Sequence, residues 1–253
     1  MKGIVQKFVL MRIFLRSFLL QAVWNFERMQ NIGFLYSIKP ILNRLYTDKE
    51  ERRQAYARHM EFFNTHPYMA SSIFGITVKE EELAKEGVSS FNFIYCLKSQ
   101  LGGPLAAIGD SFFWATWKPL CALICSAIYL LCGEKPQGLW IPLIFLVTYN
   151  FPHLYIRWHG LFGGYLWKDR FIEMIKHVYS RGLIENLARL GCVLLGILTI
   201  SLMFQSWEKP GNRLLFIGIF VLSAWLNHRG ISSSKIFYGF CSLAVLISLL
   251  GWL

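Results

Sequence analysis

Apolar residues fall along this chain in long runs broken by short polar turns, and the length of each run limits what it can do. A helix needs about twenty mainly apolar residues to cross roughly 30 Å of hydrocarbon. Three runs meet that length: 139–158, 187–207 and 236–253. Two shorter runs, 119–132 and 214–227, cross only with help from their flanks or a locally thinned bilayer. The first 118 residues differ, with apolar pieces too short or too polar to be ordinary spans. Among them lies a mixed-charge stretch, 47–61, which reads as a surface helix with Asp48, Glu50 and Glu51 at its positive N-terminal end. The apolar run 68–78 follows Asn64-Thr65-His66-Pro67, a helix-start signal, and at about eleven residues is too short to span. The pattern predicts an all-α, polytopic membrane protein forming one domain over 1–253. Full transmembrane helices occupy 119–253, and re-entrant or half-helices lie in the motif-bearing part, 1–118.

Composition agrees. Charged residues make up 16% of the chain and hydrophobic ones 55%, whereas a soluble domain carries about a quarter charged. The excess of 26 Lys and Arg over 15 Asp and Glu gives a net charge of +11. These cations lie mostly between apolar runs, as in cytoplasmic loops, and leave no basic face for nucleic acid. The stretch 159–189, with Lys168, Arg170, Lys176, Arg181 and Arg189, is therefore expected in the cytoplasm. The turns near Cys132 and Trp207 then fall outside, and His228, Arg229 and Lys235 return inside. Cys121 and Cys125 stand four apart on one helix, but no His/Cys pair accompanies them, so they read as small hydrophobes rather than metal ligands. Arg12 and Arg16 interrupt the first apolar stretch and no small-residue cleavage site follows, unlike a signal peptide.

Three polar constellations sit in apolar context. On a helix over 9–28, Ser17, Gln21, Trp24, Asn25 and Arg28 form one stripe, with Glu27 beside it. Such a stripe must face protein or a wet cavity, either as glue to a neighbouring helix or as a site. The second is Phe62 to Pro67, where His66 reads as an N-terminal capping residue. In the third, 102–111 (GGPLAAIGDS), three glycines and a proline predict interrupted backbone. Asp110 there is either a ligand or the cap of a helix beginning at Ser111. Together they suit an uncharged polyol: carboxylates accept from hydroxyls, Asn donates and accepts, and Trp offers a flat face to sugar C–H groups. Enzyme signatures such as H-E-x-x-H, G-x-S-x-G, Walker A and G-x-G-x-x-G are missing. The residues alone lead to a membrane transporter component for a small polar solute.

Four segments carry a resemblance: LRSFLLQAVWNFERMQNIGF (15–34), RHMEFFNTHPYMASSIFGI (58–76), GGPLAAIGDSFFWATWKPL (102–120) and FPHLYIRWHGLFGGYLWKD (151–169). In this order they resemble the IID component of the mannose-type phosphotransferase system (PTS). The resemblance implies a multi-pass protein of the bacterial cytoplasmic membrane that forms a sugar pathway with a IIC subunit, as a trimer of heterodimers. Cytoplasmic IIA and IIB partners carry the phosphate, so the chain itself would hold no catalytic residue, cofactor or metal. Carried over by motif, the expected hexose or amino-hexose contacts are Trp24, Asn25 and Glu27, then Asn64 and Thr65, with Asp110 shaping the site. Two departures stand out: Ala107 replaces a family glycine, and the connection 208–213 is short. They motivate an alternative, a degenerate or scaffold paralogue that supports IIC or binds external ligands without transporting.

Overall fold

The computed structural model describes residues 4–132, 140–167, 173, 181–205 and 210–232, with 235–236, 238–240 and 242–243 beyond them. Every named element among these is helical. In chain order they are α1 (Ile4–Ser17), α2 (Asn31–Leu45), α3 (Lys49–His59), α4 (Ala70–Lys85) and α5 (Phe91–Gly109). A π-helical stretch (Asp110–Trp117) leads into α6 (Lys118–Cys132), followed by α7 (Ile141–Trp167), α8 (Arg181–Gln205) and α9 (Pro210–His228). The chain divides into two compact units, Met1–Leu194 and Leu195–Leu253. The first contains all the polar constellations. In the second, α9 leaves Ile217, Phe220, Val221 and Trp225 exposed, an apolar exterior that lipid covers at less cost than water.

At the centre of the first unit is α4, buried along nearly its whole length. Its 16 residues reach only about 24 Å at 1.5 Å per residue, so it is a half-helix held inside protein. Close contact with α7 explains the glycines of the fourth sequence block. A Cβ at Gly164 would come within 2.6 Å of the Ser72 carbonyl oxygen, and one at Gly160 within 2.8 Å of Ser72 Oγ. From the other side, a Cβ at Gly75 would collide with the Leu161 carbonyl. Small residues four apart thus let two backbones touch, the device that packs helices where lipid gives no hydrophobic drive. Around this pair, Phe34, Ile38, Ile41, Phe63, Ile73, Phe74 and Phe113 form the core.

The surface helix appears as α3, with Asp48 as N-cap: its carboxylate accepts from the Glu50 and Glu51 N–H groups, both at 2.9 Å. Those backbone bonds, the Glu51 one foremost, hold the Asp48 carboxyl below its ordinary pKa. The apolar runs appear as α6, α7, α8 and α9, while most of 236–253 lies outside the described residues. Among the described residues, two helices are long and apolar enough to cross a membrane, Phe91–Leu130 and Gly182–Thr199.

Three expectations need correction. The helix over 9–28 stops at Ser17, and 18–30 runs in turns. The cause is tertiary: Arg157 Nη1 donates to the Ser17 carbonyl (3.0 Å) and hydroxyl (3.1 Å), placing a cation at the negative end of α1. The segment 102–111 is not broken either. Helix continues through Gly102, Gly103 and Pro104 and then widens into the π-helical stretch, where Thr116 Oγ1 donates to the Ser111 carbonyl at 2.8 Å. Asp110 is therefore an interior residue of a continuous helix, not its cap. Finally, the expected loop 159–189 is helical at both ends, through Trp167 and from Arg181, with Lys168, Arg170 and Lys176 outside the described residues.

Candidate functional site

The turn after α1 is built around Asn25. Its N–H donates to the Met29 carbonyl (3.1 Å) and its carbonyl accepts from the Met29 N–H (3.0 Å), closing a small loop with Phe26, Glu27 and Arg28 at the tip. The Asn25 side chain braces this loop from within. Its Oδ1 accepts from the Arg28 N–H at 2.8 Å, and its Nδ2 donates to Asn31 Oδ1 at 2.9 Å and the Met29 carbonyl at 3.3 Å. Met29 has a φ of 56°, a left-handed conformation uncommon for a residue with a side chain. Such strain persists only where the surroundings enforce it.

Those surroundings are the second constellation. The Gln30 N–H donates to the Phe63 carbonyl at 2.8 Å. The buried Gln30 side chain grips Thr65 twice, donating to its carbonyl (2.9 Å) and accepting from its N–H (3.1 Å). Thr65 Oγ1 in turn donates to the Gly102 carbonyl of α5 at 2.9 Å. Asn31 Nδ2 and Arg28 Nη1 both reach the Met60 carbonyl, at 2.7 and 3.3 Å. Residues far apart in sequence thus form one knot through Gln30, Thr65 and Gly102.

Within that knot the expected site residues divide into two groups. Asn25 and Thr65 are scaffolding, with their polar atoms engaged by protein. Trp24, Glu27, Asn64 and Asp110 face outward. Trp24 packs edge-on against Phe26, which is 87% exposed, with ring centroids 4.8 Å apart. Glu27, its side chain 79% exposed, meets Arg28 at 3.1 Å, an exposed pair that does little to fix either group. Asn64 borders a recess of about 290 Å³ between the 62–64 segment and one face of α5, lined also by Phe62, Tyr95, Lys98, Ser99 and Gly103. Trp24, Glu27 and Asp110 do not line it.

His66 stands ahead of α4, whose N-cap, Met69, receives no side-chain capping bond, so His66 is not the capping residue expected. Its Nδ1 accepts from the Tyr68 N–H at 3.3 Å, and its ring stacks on Phe113 at 5.3 Å. A Cβ at Gly109 would collide with that ring, so glycine there makes room for it.

Several buried ionisable residues among those described escape sequence reasoning, three of them with telling surroundings. Arg157 is one, with its guanidinium over the Phe18 and Tyr68 rings at 4.7 and 5.2 Å. Tyr68 also stacks on His153 at 4.3 Å and shares a hydroxyl hydrogen bond with Tyr149 at 3.0 Å. The second is Glu81, whose carboxylate receives His59 Nε2 (2.8 Å), Arg58 Nε and Nη2 (both 3.1 Å) and the Tyr46 hydroxyl (2.6 Å). Burial pushes the Glu81 carboxyl up, but the His59 and Arg58 contacts outweigh it and hold the group ionised, below the carboxylate range. Burial also holds the His59 imidazole below its ordinary value. Neutral His59 then donates through Nε2, and its bare Nδ1 has no hydrogen-bond partner among the described residues. The third is Lys98. The available signal for Arg157 and Lys98 is one basic residue inside an apolar run, a default marker of function at membrane depth. No group of three metal-ligating side chains occurs among the described residues.

This geometry can be set beside known proteins. The model of the PTS mannose/fructose/sorbose family IID component matches residues 5–208. The chain belongs to that family. Over 197 residues, 77% of this chain and 66% of the relative, it is 36% identical to the mannose-specific PTS EIID component of Escherichia coli K12. It thus spans slightly less than two thirds of that relative's length. The fructose permease IID component of Bacillus subtilis is 28% identical over 258 residues, with 92% of both chains covered. The sorbose-specific EIID component of Lacticaseibacillus casei is 33% identical over 74% of this chain and 63% of that one. Among solved structures, the cryo-EM complex of the mannose transporter ManYZ with microcin E492 aligns with a TM-score of 0.60 and 28% identity, covering 99% of this chain and 98% of that one. A second membrane-protein structure aligns at 0.71 with 29% identity and 98% coverage of both chains. As a IID component the chain is a membrane protein, and its all-α architecture matches that of these neighbours.

Proposed function

We propose that this IID chain forms, with a IIC subunit, the pathway by which a hexose or amino-hexose enters a bacterial cell. Partner IIA and IIB proteins phosphorylate the sugar, and the IID chain contributes no catalytic group. In this reading the protein crosses the cytoplasmic membrane several times, with α3 and the N-terminal end of α5 on the cytoplasmic side, and assembles as a trimer of IIC–IID heterodimers. The carrying observation is the Gln30–Thr65–Gly102 knot. It fixes two loops by buried bonds while leaving Trp24, Glu27 and Asn64 outward. That is half of a carbohydrate site: a stacking face, an acceptor and a donor–acceptor pair, awaiting a second wall from IIC. Asp110 shapes the same helix from its exposed side. The scaffold alternative loses one motive, because Ala107 sits exposed in regular helix, where its methyl group meets no strained backbone.

The test is hexose-dependent phosphate transfer in vesicles holding IIC, IID, IIA and IIB. Glu27→Gln and Asn64→Ala are expected to abolish transfer while IIC still copurifies with each variant. Wild-type rates in both would overturn the assignment.

A further inference from the structure

Tyr95, Lys98, Ser99, Gly102, Gly103 and Ala106 recur at helical spacing along one face of α5. Small side chains at the last four positions hollow that face, and Phe62 and Tyr95 stand exposed at its rim. The resulting recess, about 290 Å³, lies near the lower end of the range for small-molecule sites, roughly 300–1,000 Å³. Lys98 is its unusual member. The residue is 3% exposed, and its ammonium lies 4.7 Å from the centroid of the Phe34 ring. No hydrogen-bond acceptor reaches Nζ among the described residues, so three donors are unused. The buried Glu81 and Arg157 do have protein partners. Of the carboxylates acting on Lys98, Glu81 is occupied by Arg58, His59 and Tyr46, and Glu61 is exposed. An aromatic face offsets part of the cost of an ammonium held out of water, but supplies no acceptor oxygen.

We propose that this recess binds the phosphate ester of the transported hexose, with Lys98 as its phosphate-binding group. The proposal rests on the transport reading above. Lys98 lies seven residues into α5, about 10 Å from the helix end assigned to the cytoplasm, the side on which the phosphoryl group arrives. A neutral sugar has no charge to match the ammonium, whereas a phosphate dianion offers charge-assisted bonds that a flexible lysine stem can turn to meet. Phe62, Tyr95 and Asn64 remain for the sugar ring, which separates a hexose phosphate from inorganic phosphate.

Calorimetric titration of the purified IIC–IID complex in phosphatidylcholine nanodiscs tests this. The probes are the free hexose that drives phosphate transfer, its phosphate ester and inorganic phosphate. The wild type is expected to bind the ester more tightly than inorganic phosphate. Lys98→Gln should weaken the ester by about tenfold or more, leave free hexose within about twofold, and Lys98→Arg should restore most of the loss. Gly103→Leu gives a second variant that does not depend on Lys98 folding correctly, because a Cβ there meets open space while its side chain enters the recess. It too is expected to lose the ester. The proposal is overturned if the wild type binds no ester, if both variants lose hexose and ester equally or neither, or if a Lys98-dependent signal appears only with anionic lipid. Failure of free hexose to bind the wild type would instead count against the transport reading, and Lys98-dependent ester binding would still stand.

Discussion

Glu81 shows how one residue can hold several elements. Its carboxylate joins the end of α2 through the C-cap Tyr46, α3 through Arg58 and His59, and its own helix α4. Removing the charge while keeping the shape, Glu81→Gln, leaves the partly buried Arg58 without its counter-charge. It is expected to cost about 3 kcal/mol, read as a lower thermal midpoint in detergent. The pH dependence has one sign. His59 is neutral in the fold, so its contribution is complete above the ordinary imidazole range and is lost as pH falls from about 6.5. Glu81 is held ionised, so its contribution is lost only further down, as pH falls through the ordinary carboxylate range and below. Thermal midpoints should therefore decline on acidification from about pH 6.5. His59→Gln, which keeps a donor to Glu81 but cannot titrate, should lessen the upper part of that decline, to which buried His66 also contributes, and leave the lower. Neither residue stood out in sequence, because each sits in a charged stretch where no local pattern marks burial.

Among the elements, the interval between α1 and α2 taught the most. Polar residues at helical spacing over 17–28 fit a helix stripe, yet they form a turn because Arg157, distant in sequence, takes the Ser17 carbonyl and ends α1. No local pattern records that contact. In 102–111 the error ran the other way: glycines and a proline that break helices in water are carried through, and the local departure is a π-helical widening instead. By contrast α3, with its acidic N-terminal end, and the α6 to α9 runs were legible, because the charge pattern at a helix start and apolar length are local. Arg157→Gln is expected to speed hydrogen exchange at amides 18–30 and raise the hexose concentration needed for half-maximal transfer, more than it lowers the maximal rate. Unchanged exchange there would remove Arg157 as the anchor of the turn. Gly164→Leu, forced against the Ser72 carbonyl, should destabilise the α4–α7 pair by about 1–3 kcal/mol in the same unfolding assay.

For the whole molecule, class and family were legible in the residues but the wiring was not. The fold ties the WNFER, FNTHP and GGPLAA motifs together through Gln30, a residue no motif argument selected. It also separates their roles, with Asn25 and Thr65 facing inward as braces and Trp24, Glu27 and Asn64 facing out. On the proposed reading the other half of the site belongs to a partner, so within one chain the exposed tip reads simply as surface. The most direct measurement is a cryo-EM map of the IIC–IID complex with its hexose bound. The expected result is sugar density enclosed between IIC and this chain, within hydrogen-bond distance of Glu27 and Asn64 and against the Trp24 ring. Density lying wholly within IIC, with the 24–27 turn and Asn64 facing lipid or solvent, would contradict the account.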